Sequence, residues 1–159
     1  MRRGARRVAL LLPPVVAACG FGAVSVPSHT PLPDTERVCA ELVAALPEVV
    51  DDAVRRDVEP PSNAVAAWGQ PPIILRCGIP EPGGIDPTMA VLEVAGVGWF
   101  SLPGEGGTFF VTADRSAVVE VAIPDDYAPE ADVLVDLAPA VTDTVPTSGP
   151  VDGSTGQGG

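Results

Sequence analysis

The chain has 159 residues, with 21 acidic residues against nine basic ones, all arginine, and a single histidine. Its formal net charge of −12 opposes binding to nucleic acid and repels anionic lipid headgroups, because both present phosphate. The single histidine and the three cysteines lack the close spacing of a zinc site, and a nucleophile–base pair would need His29 inside the fold.

Arg2, Arg3, Arg6 and Arg7 open the chain, and an apolar run follows at residues 8–18, interrupted by Pro13 and Pro14. A bilayer span needs about 20 apolar residues, so this run reads as a secretory signal and not a membrane helix. Val16-Ala17-Ala18-Cys19 closes it as a lipobox: an aliphatic residue, two small residues, then a cysteine whose thiol accepts a diacylglycerol. Residues 1–18 are expected to be removed as a lipoprotein-type signal peptide. Cys19 then becomes the lipidated mature N-terminus, on the outer face of the cytoplasmic membrane. Ordinary cleavage and secretion is the alternative. Arg6-Arg7 also suggests twin-arginine export, but its flanking residues fit the general secretory route better. Removal of the four arginines before Cys19 leaves five basic residues against all 21 acidic ones, so the mature chain carries about −16.

Residues 19–33 contain Gly, Ser and three prolines without periodicity, and read as a semi-extended tether. His29 falls in this stretch and is expected to be solvated. The folded unit is expected over residues 34–141. Asp34 or Thr35 is placed to cap a first helix carrying Val38, Leu42 and Leu46 on one face, with Cys39 and Val43 beside them. Val49, Val50 and Val54 permit a second short helix. Residues 73–77 are a strand between Pro71-Pro72 and Gly78. Residues 90–94 and 97–100 read as a hairpin turning at Ala95-Gly96, and residues 108–112 and 117–123 as another around Asp114-Arg115-Ser116. A last helix runs from Pro129 through Val133, Leu134, Leu137 and Val141, with a break or kink at Pro139. Residues 142–159 are Gly, Ser, Thr and Pro with scattered Asp, the composition of a disordered tail. The expected fold is α+β: one small domain, with an antiparallel sheet of about four to five strands and N- and C-terminal helices packed on one face.

With Cys19 committed to lipid, Cys39 and Cys77 form an even pair in an oxidising compartment and are expected to bond. The closed loop of about 39 residues is worth ~4 kcal/mol in the chain-entropy model. Catalytic motifs are lacking. Asp51-Asp52 and Asp125-Asp126 are adjacent pairs whose side chains diverge, which suits solubility better than a carboxylate dyad. Gly83-Gly84 and the glycines of residues 104–107 read as turns, since a phosphate loop needs a following helix and usually a lysine. Trp68, Arg76, Trp99 and Arg115 are the candidate binding surface, because Trp and Arg anchor interfaces. The competing reading packs both tryptophans in the core and pairs Arg76 with a carboxylate at the core edge.

The run Ala67-Trp68-Gly69-Gln70-Pro71-Pro72-Ile73-Ile74-Leu75-Arg76-Cys77-Gly78 resembles the signature of an actinobacterial family of exported proteins, domain of unknown function 3515. Gly96-Val97-x-Trp99, Thr112-x-x-Arg115, Val119-x-Val121-x-Ile123-Pro124 and an upstream Cys39 with Leu46-Pro47 follow the same pattern over residues 37–141. The resemblance implies a lipoprotein or secreted protein of the cell envelope and carries no activity with it. The functional expectation is a non-enzymatic interaction or accessory lipoprotein with no cofactor. Its partner is an unknown envelope protein or wall component. Binding of a small cell-wall fragment is the alternative, and an Asp/Glu-dependent hydrolase the least supported.

Overall fold

The computed structural model describes residues 22–86 and 88–148; the expected signal peptide (residues 1–18), Cys19 and residues 149–159 lie outside the described residues. In chain order the elements are β1 (Val24–Ser25), α1 (Glu36–Ala45), β2 (Val49–Val50), β3 (Ala53–Arg56), β4 (Val58–Glu59), β5 (Val65–Trp68) and β6 (Ile73–Cys77). There follow β7 (Leu92–Val94), β8 (Val97–Gly104), β9 (Gly107–Thr112), β10 (Val119–Pro124), a 3-10 turn (Asp125–Tyr127) and α2 (Ala131–Thr144). None of the described helices is long and apolar enough to cross a membrane.

The sheet is larger than expected. Eight antiparallel strands run in the order β2-β3-β5-β6-β10-β9-β8-β7, and β1 pairs with β4 in a separate parallel ribbon. The excess lies at two places. Val49, Val50 and Val54, in a stretch that is ambiguous in sequence and permits a short helix, form the hairpin β2–β3. Its turn residues Asp51 and Asp52 have φ of 44° and 60°, the left-handed pair that a two-residue turn demands. The β5 strand, Val65–Trp68, is buried on every residue and so lacks the alternation that marks a half-buried strand.

That burial has a cause in the chain before the domain. Alternate residues of β5 serve two cores. Ala66 and Trp68 join the main cluster with side chains of both helices, while Val65 and Ala67 join a smaller one with Val24, Val26, Val58 and Ile74. Residues 24–26 are therefore not tether. Val24 and Val26 are each only 6% exposed, and they cover the second face of β5. His29 is not free either, since its Nε2 donates to the carbonyl of Cys77 at 2.7 Å. The folded unit also extends past residue 141: α2 continues through Pro139 to Thr144, and Val145 is fully buried.

The main core gathers Leu42, Ile73, Leu75, Val119, Val121 and Leu137, with both tryptophans. Cys39 of α1 and Cys77 of β6 are joined, with their Cα atoms 5.4 Å apart. The bond ties the first helix to the end of the central strand. Thr35 stands at the N-cap of α1, but its hydroxyl donates to the Leu32 carbonyl at 2.8 Å and makes no cap bond. The hairpin turns at Ala95-Gly96 and Glu105-Gly106 fall where the glycines placed them, with φ of 47° at Ala95 and 82° at Gly96.

Candidate functional site

The four residues offered as a binding surface do not form one. Trp68 and Trp99 are both fully buried. The Trp68 indole N–H donates to the Pro47 carbonyl at 3.0 Å, whereas the Trp99 indole N–H has no hydrogen-bond partner among the described residues. Arg76 sits on the opposite face of the sheet, directly across from Glu120, and its Nε donates to Glu120 Oε1 at 3.0 Å. Arg115 donates to the Val145 carbonyl at 2.8 Å and the Gly96 carbonyl at 3.2 Å. It closes the C-terminal end of α2 against the β7–β8 turn.

Arg55 does for α1 what Arg115 does for α2. Its guanidinium donates to the carbonyls of Leu46 (3.2 Å) and Val43 (2.9 Å), and it lies 5.7 Å from the centre of the Trp68 ring. Neither helix has a basic residue in its last turn. The terminal carbonyls, unsatisfied within the helix, therefore take donors from the sheet.

What the sequence did not reveal is a cleft of about 820 Å³ where the β2–β3 hairpin meets the β5–β6 turn. Glu48, Asp51, Asp52 and Asp57 line it, with Arg55, Arg56, Gln70 and Tyr127. Arg56 donates to the Gly69 carbonyl (2.7 Å), to Gln70 Oε1 (2.7 Å) and to the Gly22 carbonyl (2.5 Å). The Tyr127 hydroxyl donates to the Pro71 carbonyl at 2.8 Å, and burial pushes its pKa above the ordinary phenol value. Gly69 has φ of +70°, and a Cβ there would collide with the Tyr127 hydroxyl and with Ala53. Glycine is thus required for the turn to close beneath the tyrosine.

The cleft is acidic in character. Four carboxylates, Glu48, Asp51, Asp52 and Asp57, outnumber Arg55 and Arg56, which keep their charge while bonded to neutral carbonyls and Gln70. The Asp51 carboxyl is held above its ordinary pKa, first by desolvation and then by the neighbouring charges of Asp132, Asp52 and Asp136. Such a site suits a polar or cationic ligand. His29, the one histidine, lies instead at the Cys77 end of the sheet. Among the described residues, no group of three or more His, Cys, Asp or Glu is arranged to hold a metal ion. A second open groove, about 590 Å³, lies beside Arg115 and Asp114.

The class defined so far is a disulfide-bonded α+β domain with an acidic cleft. The family model for proteins of unknown function designated DUF3515 matches residues 14–149, and the chain belongs to that family. No curated protein and no solved structure matches the chain.

Proposed function

We propose that this protein is a lipoprotein of the cell envelope, anchored by Cys19 to the outer face of the membrane. It acts there as an interaction or accessory protein without a catalytic activity of its own. The observation that carries this reading is the Cys39–Cys77 bond, which follows a lipobox in the same short chain. Disulfides persist in oxidising compartments outside the cytoplasm. The non-enzymatic part is supported by how the candidate groups are employed. Arg76 neutralises Glu120, Arg55 and Arg115 close helix ends, and the tryptophans fill the core. The acidic cleft favours a second reading, binding of a small polar or cationic ligand such as an amine-bearing wall fragment.

Cys19→Ala tests the anchor. The variant should leave the membrane fraction and lose labelling by a palmitate analogue; unchanged labelling would refute lipidation at this residue. Crosslinking in intact cells followed by affinity capture separates the two binding readings. Reproducible recovery of one envelope protein supports the first, and recovery of wall fragments without a protein supports the second.

A further inference from the structure

The path of the chain after Cys19 fixes more than an address. Gly22 is pinned through its carbonyl by Arg56, and Val24 is paired with Val58 and buried. Three peptide units separate Cys19 from Gly22, a reach of at most about 11 Å. Gly22 lies at one particular end of the sheet, because Arg56 also holds Gly69 and Gln70, the turn between β5 and β6. From there the strand runs along the outer face to His29 and Leu32, which bond to Cys77 and Gly78 at the other end. The anchored end comprises Gln70, the β8–β9 turn at Glu105-Gly106 (which borders Pro72) and the Asp51-Asp52 turn. The far end comprises Ala95-Gly96 and Asp114–Ser116, tied together by Arg115. The eight residues of β8 span about 26 Å between these ends.

We infer that the domain is not displayed on a flexible stalk but sits against the bilayer in one orientation. The Gln70–Glu105 end meets the headgroup layer, and the Asp114–Ser116 end points away. The inference rests on the lipid anchor proposed above and adds the surface that meets the membrane. It also places the acidic cleft at the bilayer, since Arg56 and Gln70 line that cleft and hold Gly22. The Asp51, Asp52 and Glu105 carboxylates at this end make zwitterionic lipid the more compatible surface, and anionic lipid should lift the domain when salt is low.

The experiment uses the full lipoprotein, purified from membranes and reconstituted into phosphatidylcholine vesicles. A fluorophore is attached at Gln70→Cys, Glu105→Cys or Ser116→Cys. Each new thiol is the only free one when Cys19 carries lipid and Cys39 is bonded to Cys77. With a headgroup-attached quencher, quenching should be several-fold stronger at Gln70→Cys and Glu105→Cys than at Ser116→Cys. Ten Gly/Ser residues inserted after Phe21 should erase the difference while the protein stays on the vesicles. Equal quenching at all three sites in vesicle-bound protein, or a difference that survives the insertion, overturns the orientation and leaves the anchor standing. Failure to recover lipidated protein from membranes removes the anchor, and the orientation with it.

Discussion

Two tryptophans of equal burial have different consequences when replaced. Trp68 has its indole N–H satisfied by Pro47 and its ring faced by Arg55; Trp99 is buried with its N–H unpaired among the described residues. Trp68→Phe strands a carbonyl and weakens a cation–π contact, whereas Trp99→Phe removes an unsatisfied donor. Thermal denaturation should show Trp68→Phe to be the costlier change by about 1–2 kcal/mol. Arg55→Ala deprives two helix-end carbonyls of their donor and should cost about 1–3 kcal/mol, with partial recovery in Arg55→Lys. Asp51 gives a pH signature. Its carboxyl is raised above 3.8 by desolvation and by acidic neighbours, so the folded state holds the proton more tightly than the unfolded chain does. Stability therefore falls as pH rises from about 4 through the raised value. Asp51→Asn, which also suits a φ of 44°, should raise Tm at pH 7 and confer no advantage at pH 3.

At the level of elements, the disulfide, the Ala95-Gly96 hairpin and both helices were legible because each has a local cause. Val38, Leu42 and Leu46 recur at helical spacing, and a glycine follows the turn residue at Ala95. What was not legible depends on distant partners. Residues 24–26 look like tether until β5 is known to need cover on its second face. Asp51-Asp52 carries no Asn-Gly signal, so residues 48–58 stay ambiguous between hairpin and short helix in sequence. The cleft exists only because that hairpin stands against Gly69, Gln70 and Tyr127, which are 13 or more positions away in sequence. The bonds of Arg115 were hidden for the same reason: its carbonyl partners lie 30 and 19 residues away. Val24→Asp tests the element directly. It buries a charge against Val65 and Ala67 and should lower the urea midpoint by an amount equivalent to about 2 kcal/mol or more, where a tether would tolerate it. Replacing Cys39 and Cys77 together by alanine should cost ~4 kcal/mol, a large part of a small domain's 5–15 kcal/mol.

For the whole molecule, charge and connectivity act together. The described residues contain two ion pairs, Arg37–Glu41 and Arg76–Glu120, so most carboxylates remain unneutralised at the surface. The chain's formal net charge of −12 repels phosphate backbones and attracts cationic groups. In the proposed lipoprotein Cys19 is the anchor, and β1 would set how the domain stands on it. Both roles depend on the cysteine's modification, and mass analysis of the N-terminal peptide from membrane-extracted protein measures it. The account predicts a peptide beginning at Cys19 with a diacylglyceryl group on its sulfur. A mature N-terminus elsewhere, or an unmodified Cys19, would contradict it.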